Sequence, residues 1–187
     1  MVSGDKPIGK RIDITKTVTI LVHGYRGNEF DLSKLKSYLN LFLGFTHFYA
    51  VRSIGPGEGT DAGINKLGEL AGEEVNKYLS ANIGIKYVNV VGFSLGGVIA
   101  RSMLPHLTAH QHKFNLLLTL ASPHLGIIEV SSCLVRTGLF YMRRVAKVES
   151  IQDLNNERTT DRSRYLQELA NCPLITAFRW VILVGSN

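Results

Sequence analysis

The residues with the clearest capacity for chemistry are a serine and the two glycines around it, in the stretch Gly92-Phe93-Ser94-Leu95-Gly96. This stretch matches the pattern G-x-S-x-G, in which a serine occupies a sharp turn between a strand and a helix. Gly92 and Gly96 would let the strand and the helix pass closely, and the turn would expose the serine hydroxyl. An apolar, strand-like run precedes the pattern and a helix-like run follows it. This context favours a nucleophilic Ser94 over a glycine-rich turn without chemistry.

A serine that attacks an acyl group also needs two hydrogen-bond donors for the oxyanion that forms. The first is ordinarily the backbone N–H of the residue after the serine, here Leu95. The second is expected in the loop "HGYRG" at 23–27, which follows an early strand. In that loop Gly24 permits a close turn, and the Tyr25 N–H is the natural donor. His23 is predicted to pack beneath the loop and hydrogen-bond its backbone, rather than to act as a base.

Strands and helices alternate along the rest of the chain. Apolar, β-branched runs predict strands at 17–24, 46–53, 87–93, 113–123 and 178–187, and helical periodicity predicts helices at 31–43, 64–84 and 94–107. Asp31 is expected to cap the first helix, Gly84 to stop the second, and the glycine-rich loop 54–63 to be irregular. The alternation predicts an α/β fold, a doubly wound and mostly parallel sheet whose loops at the carboxyl ends of the strands converge on one rim.

Composition excludes several classes of function. Much of the net charge of +6 lies between 136 and 164, which favours a solvated basic face and leaves a peripheral membrane contact open. The chain has no nucleic-acid-binding pattern, no secretory signal and no apolar run long enough to span a membrane, so an intracellular, cytoplasmic protein is expected. Cys133 and Cys172 predict reduced thiols rather than a disulfide framework or a zinc site.

No cofactor or metal is predicted. His106 and His110 stand four residues apart, but no glutamate accompanies them as in H-E-x-x-H, and Pro105 disturbs the local helix. The glycine run at 55–59 fits neither the dinucleotide-binding pattern nor the P-loop pattern. It is expected to be a loop that borders the cleft.

The segments "LVHGYRGNEFDLSKLKSYL", "VNVVGFSLGGVIARSML" and "LASPHLG", in this order, resemble the serine-esterase, lipase-like branch of the α/β-hydrolase superfamily. The resemblance extends from about Thr17 to Asn187. It implies the α/β-hydrolase fold and hydrolysis of carboxylic esters, including lipid esters. By the same resemblance Ser94 is the nucleophile, Tyr25 and Leu95 hold the oxyanion, and His124 of "SPHLG" lines the cleft without being the base.

The expected domain organisation is an N-terminal extension at 1–16 and one hydrolase domain at 17–187, with a cap-like insertion at about 127–165. The insertion combines apolar and basic residues, which would suit an acyl chain or a membrane surface. A helical segment that simply packs on the core is the equal alternative.

Hydrolases of this superfamily carry the serine, the acid and the histidine of the triad in that chain order. The acid is expected just beyond the strand "WVILVGSN", and the sequence reaches Asn187 before either partner. We therefore expect a truncated serine hydrolase domain that lacks its acid and its histidine. His124 is the internal residue to test as a substitute base, whereas Asp153 and Asp161 are expected to cap helices or pair at the surface.

Two alternatives stay open at this point. A catalytically inactive pseudo-hydrolase would bind a lipid or a partner protein without turnover. An amidase or a thioesterase would use the same serine and the same oxyanion donors.

Overall fold

The computed structural model describes residues 14–45, 47–55, 57–124, 126, 149–154, 165–166, 168–169 and 171–185. The predicted N-terminal extension at 1–16 and the predicted cap-like insertion at 127–165 lie largely outside these residues. Cys133, Asp161 and most of the basic run at 136–164 also lie outside them.

Among the described residues, five strands form one sheet in which every pair of neighbours is parallel. The strands are β1 (Thr17–Val22), β2 (Phe48–Ala50), β3 (Tyr87–Phe93), β4 (Phe114–Leu120) and β5 (Trp180–Val184). Their spatial order is β2-β1-β3-β4-β5. The chain therefore adds β2 on one side of β1 and then reverses direction to add the later strands on the other side. This confirms the predicted doubly wound, parallel sheet.

Helices connect the strands as the periodicity predicts. The α-helices are α1 (Ser33–Leu43), α2 (Ile64–Ala81), α3 (Leu95–Met103) and α4 (Glu149–Asp153). A 3-10 helix at Leu104–Lys113 continues directly from α3, and another at Pro173–Ala177 precedes β5. Short 3-10 helices also occur at Ile14–Lys16 and Gly57–Thr60.

Strand β1, which lies between β2 and β3, is buried on both faces, as its unbroken apolar and β-branched sequence predicts. Ile20 and its alternate neighbours pack into the larger core, which α2 and α3 cover. Leu21 faces the opposite way, into a smaller cluster that contains Leu39 of α1. Each such fully buried side chain contributes about 1.5–3 kcal/mol to folding. Burial on both faces therefore fixes β1, and the loop that follows it, near the middle of the sheet.

The prediction that Asp31 caps the first helix is wrong. The residue before α1 is Leu32, and no side chain caps the helix there. The Asp31 carboxylate instead accepts hydrogen bonds from the backbone N–H of Asn28, at 3.0 Å, and from its side-chain amide, at 3.1 Å. The carboxylate therefore closes a turn before the helix rather than capping it.

Two further local expectations need correction. Helix α2 ends at Ala81, before Gly84, where the Asn82 side-chain amide donates to the Tyr78 carbonyl at 2.8 Å. The glycine-rich loop is not wholly irregular, because Gly57–Thr60 forms a 3-10 turn. In this loop Thr60 is fully buried.

Strand β5 lies at the edge of the sheet and is half-exposed along its whole length. Its five side chains are apolar, and their exposed fractions range from 41% for Val181 to 59% for Trp180. Among the described residues β5 pairs with β4 alone. None of the helices in the described ranges is both long enough and apolar enough to cross a bilayer.

Candidate active site

Ser94 occupies the turn between β3 and α3 in a backbone conformation that L-residues rarely adopt, with φ 53° and ψ −127°. Its N–H donates to the Leu120 carbonyl at 2.8 Å, and its own carbonyl accepts from the Gly97 N–H at 3.1 Å. These contacts with β4 and with the first turn of α3 hold the strained residue in place. The serine is partly exposed and lies at the carboxyl end of the sheet.

The glycines of the pattern are required by close backbone approach. A Cβ on Gly92 would lie 2.5 Å from the Gly97 Cα, so strand β3 and helix α3 pass without room for a side chain. A Cβ on Gly96 would lie 2.3 Å from the carbonyl oxygens of Val22 and His23. Gly96 therefore lets the start of α3 contact the end of β1, and this contact brings the loop after β1 beside Ser94.

The loop after β1 borders the serine directly. A Cβ built on Gly24 would lie 3.1 Å from the Ser94 Cβ and 3.6 Å from its hydroxyl oxygen. Tyr25 follows Gly24 and lines the same cavity as Ser94. Leu95 is the first residue of α3, so its N–H belongs to the unpaired N-terminal turn of that helix. The structure thus brings together Ser94 and the residues predicted to hold the oxyanion.

His23 is buried beneath this loop. Its Nδ1 lies 3.0 Å from the Gly24 carbonyl, and because a carbonyl only accepts, Nδ1 carries the proton and donates. The same carbonyl accepts the Gly27 N–H at 3.1 Å, which closes a turn over 24–27. This geometry is the one that a role in supporting the loop requires, and that role stays a prediction.

Arg26 links the loop to a distant part of the chain. Its N–H donates to the Thr60 hydroxyl at 2.7 Å, and its guanidinium pairs with the Asp61 carboxylate at 3.1 Å. The guanidinium also lies 5.5 Å from the centroid of the Tyr25 ring. Burial raises the pKa of the Tyr25 phenol, and the Asp61 carboxylate raises it further. Sequence reasoning missed Thr60 and Asp61, because no motif connects them to a loop more than thirty residues earlier.

A cavity of about 450 Å³ opens beside Ser94 on the side of the sheet where α1 packs. Its lining is mainly apolar, with one acidic and one basic residue, Asp31 and Lys34. The apolar and aromatic members of the lining are Tyr25, Leu32, Leu35, Tyr38, Phe93 and Leu120. Such a cavity can hold the apolar part of a small ligand next to the serine hydroxyl.

His124 is engaged away from the serine. The Arg101 guanidinium donates to its Nδ1 at 3.1 Å, so its Nε2 carries the proton and donates to the Thr119 hydroxyl at 2.7 Å. Burial, and then the positive charge of Arg101, lower the pKa of His124 to about 4. His124 is not among the described residues that line the cavity beside Ser94. With both ring nitrogens bonded elsewhere, it is poorly placed to take a proton from the serine.

The other histidines lie elsewhere in the fold. His106 and His110 belong to the 3-10 helix after α3, which packs against α2, and His110 lies 3.4 Å from the Ser80 hydroxyl. No cluster of metal-ligating side chains occurs in the described part of the chain. Within that part, no histidine ring hydrogen-bonds the Ser94 hydroxyl.

Asp153, for which the sequence leaves helix capping and surface pairing open, caps α2. Its carboxylate accepts the N–H of Ile64, the first residue of α2, at 2.7 Å. The Glu149 carboxylate accepts the neighbouring Gly63 N–H at 3.2 Å. Helix α4 thereby holds the N-terminus of α2.

Comparison with known proteins agrees with this architecture. A model of the family described as "Putative serine esterase (DUF676)" matches residues 15–187. The mature form of the lipase BlEst2 from Bacillus licheniformis superposes with a TM-score of 0.60 at 16% identity, covering 93% of this chain and 67% of the lipase. Phospholipase PlaB from Legionella pneumophila superposes with a TM-score of 0.58 at 17% identity, covering 89% of this chain and 38% of the phospholipase. The likeness confirms the predicted α/β-hydrolase fold.

Proposed function

We propose that this chain, which belongs to the serine esterase family DUF676, is the nucleophile-bearing domain of a hydrolase that cleaves carboxylic esters. The observation that carries the proposal is the strained Ser94 between β3 and α3, at φ 53°, with the Gly24 backbone against it. A serine hydroxyl presented in this way, next to the residues predicted to donate the Leu95 and Tyr25 N–H groups, suits acyl transfer.

The proposed reaction proceeds through an acyl-enzyme. The Ser94 Oγ bonds to the acyl carbon while a base accepts its proton, and the Leu95 and Tyr25 N–H groups stabilise the oxyanion. The bond from the acyl carbon to the alcohol oxygen then breaks, and the alcohol leaves with the proton. Water attacks the acyl group on Ser94, which releases the carboxylic acid and restores the hydroxyl.

The base and the acid that orients it are proposed to come from polypeptide outside the described residues. What supports this is the apolar edge strand β5, whose residues are 41–59% exposed and would be covered by further strand or helix. About a third of the length of the lipase that shares the fold is also unmatched, since this chain covers 67% of it. His124 is not proposed as a substitute, because Arg101 and Thr119 occupy its ring nitrogens.

Lipid esters are the proposed substrate class. The mainly apolar lining of the cavity beside Ser94 supports this, and two proteins of the same fold are named as a lipase and a phospholipase. Exposed apolar side chains on α1, among them Leu41 and Phe42, support a peripheral contact with a membrane surface.

The second candidate is a pseudo-hydrolase that binds a lipid or a partner protein without turnover. It is favoured by the absence, within the described part of the chain, of a histidine hydrogen-bonded to Ser94.

Hydrolysis of p-nitrophenyl esters of increasing acyl length by the complete gene product separates the two functions. We expect turnover that depends on Ser94 and is lost in Ser94→Ala. Tight binding of a fatty acid without hydrolysis of any ester in the series would instead establish the binding module.

A further inference from the structure

The turn that carries the predicted oxyanion donor is held in an unfavourable conformation. The hydrogen bond from the Gly27 N–H to the Gly24 carbonyl, at 3.1 Å, closes a four-residue turn with Arg26 in its third position. Arg26 has a φ of 52°, and a positive φ at this position is typical of a type II turn, which normally places glycine there. An arginine costs about 1–2 kcal/mol in this region, so other contacts must stabilise it.

Those contacts come from the loop before α2. Thr60 accepts the Arg26 N–H at 2.7 Å, so it fixes the peptide plane between Tyr25 and Arg26. Thr60 is fully buried, and its hydroxyl is therefore a fixed acceptor. Asp61 binds the guanidinium of the same residue at 3.1 Å. Backbone and side chain of Arg26 are thus tied to two consecutive residues.

Helix α4 in turn fixes this pair of residues. The Glu149 N–H donates to the Asp61 carbonyl at 2.9 Å, and the Ser150 hydroxyl donates to the Thr60 carbonyl at 2.6 Å. Ser150 is completely buried in this contact. The Ile64 N–H, three residues after Asp61, is held by Asp153 of the same helix at 2.7 Å. A continuous set of hydrogen bonds therefore runs from α4 through 60–61 to the turn beside Ser94.

We propose that Thr60 and Asp61, anchored by α4, are positioning residues that hold the Tyr25 N–H at the oxyanion site. This inference rests on the proposed function, because it assigns the turn the task of binding the oxyanion. If Arg26 relaxed to negative φ, the turn at 24–27 would open and the Tyr25 N–H would no longer keep a fixed position relative to Ser94. A displacement of about 1 Å in such a group costs up to ~100-fold in rate.

The test uses the complete gene product with three variants. Thr60→Val keeps the shape of the side chain and removes the acceptor of the Arg26 N–H, Thr60→Ser keeps the hydroxyl, and Asp61→Asn removes the charge. The matched control is Glu69→Gln, which breaks a 2.7 Å ion pair with Lys66 on the exposed face of α2. The readouts are ester turnover, the rate at which a fluorophosphonate labels Ser94, and amide hydrogen exchange of 23–27 against β3.

We expect Thr60→Val to lower kcat and the labelling rate by about 10- to 100-fold with little change in KM, because only the transition state carries the oxyanion. Exchange should accelerate at 23–27 and not in β3. Thr60→Ser should restore most of the rate, Asp61→Asn should give an intermediate loss, and Glu69→Gln should behave as the unsubstituted protein.

Losses no larger than that of Glu69→Gln would overturn the inference. If the unsubstituted protein neither turns over nor labels, the proposed function fails, and hydrogen exchange then decides the inference alone. Faster exchange confined to 23–27 in Thr60→Val would support the inference that Thr60 holds this turn, and unchanged exchange there would overturn it. If Thr60→Val raises exchange throughout the chain, Asp61→Asn decides by the same criterion, and Thr60→Ser, which keeps the hydroxyl, should exchange as the unsubstituted protein does.

Discussion

At the scale of single residues, the candidate site is defined by backbone conformations that ordinary residues avoid. Ser94 and Arg26 both have φ near 50°, at 53° and 52°, and they lie on the two loops that meet at the cavity. Each such residue costs roughly 1–3 kcal/mol and persists where its surroundings determine it. For Ser94 the surroundings are the Leu120 carbonyl and the first turn of α3. The backbone conformation that exposes the Ser94 hydroxyl therefore lowers the stability of the fold.

Replacing Ser94 by glycine tests this effect on stability. Glycine adopts positive φ without a steric penalty, so Ser94→Gly should raise the free energy of unfolding by about 0.5–1 kcal/mol, while it removes the nucleophile. Ser94→Ala should remove the nucleophile without this gain. Urea denaturation of both variants checks the prediction, and a Ser94→Gly protein less stable than Ser94→Ala would contradict it.

The pKa of His124 predicts a pH dependence of stability. The pKa is lowered to about 4, below the usual value of about 6.5, so between these pH values the unfolded chain binds a proton that the folded chain does not. The contribution of His124 to the free energy of unfolding is therefore complete above pH ~6.5, and it decreases as the pH falls towards ~4.

His124→Gln keeps a donor and an acceptor without a titrating ring. In urea denaturation across pH 4–7, the unsubstituted protein should lose stability relative to His124→Gln as the pH falls through this window. A constant difference between the two proteins at every pH would show that His124 does not titrate as described.

Some of the residue-level site follows from sequence and some does not. The roles of Gly92 and Gly96 are readable because the clash that requires glycine arises within a strand–turn–helix of contiguous sequence. The contacts of Arg26 with Thr60 and Asp61 join residues 34 and 35 positions apart, and no local pattern encodes them. His124 shows the same limit, since its position in the sequence gives no sign that Arg101 occupies its Nδ1.

At the scale of elements, the contact between the end of β1 and the start of α3 is the joint that assembles the site. A Cβ on Gly96 would lie 2.3 Å from two backbone carbonyl oxygens of β1 and its loop, and backbone does not yield as a flexible side chain does. The loop carrying Tyr25 reaches Ser94 through this joint. A side chain at position 96 would therefore both destabilise the fold and separate the two loops.

Gly96→Ala should lower the free energy of unfolding by about 1–3 kcal/mol or more and abolish any labelling of Ser94. Gly84→Ala is the matched control, because a Cβ on Gly84 meets nothing within 4 Å. The control should stay within about 0.5 kcal/mol of the unsubstituted protein. Equal effects of the two substitutions in urea denaturation would show that the close contact between β1 and α3 does not depend on glycine at position 96.

Element boundaries show why local preference is an incomplete guide. Asp31 has the residue type of a helix cap, but Asn28 offers its carboxylate two donors within a tighter turn. Strands β1 and β3, by contrast, follow the sequence closely, because burial on both faces leaves no freedom in an apolar run. The predicted strand at 46–53 is reduced to Phe48–Ala50, whose side chains are only partly buried. Asp31 could either cap α1 or close the turn with Asn28, and the sequence does not show which of these two hydrogen-bonding arrangements forms.

At the scale of the whole molecule, the sheet has one well-covered side and one open edge. The larger core contains α2, α3 and their strands, whereas the apolar side chains of β5 are half-exposed. An apolar edge strand with unpaired backbone groups is a template for association with another chain. The described part of the molecule thus presents an edge that further polypeptide, or a second molecule, would cover.

These 187 residues in isolation should therefore self-associate in a concentration-dependent manner, and Ile182→Lys should reduce the association. Ile83→Lys makes the same chemical change at a residue that is 87% exposed outside the sheet, and it should leave the association unchanged. Sedimentation over a range of concentrations measures this. A monomer at all concentrations, or equal effects of both lysine substitutions, would show that the molecule does not self-associate through β5.

The central claim, that Ser94 is an activated nucleophile in an ester hydrolase, is tested most directly by mass spectrometry of the complete gene product after treatment with a fluorophosphonate. The account predicts one adduct, located on Ser94 and absent from Ser94→Ala. An adduct on another residue, or a protein that stays unmodified under conditions in which a known serine esterase reacts fully, would contradict it.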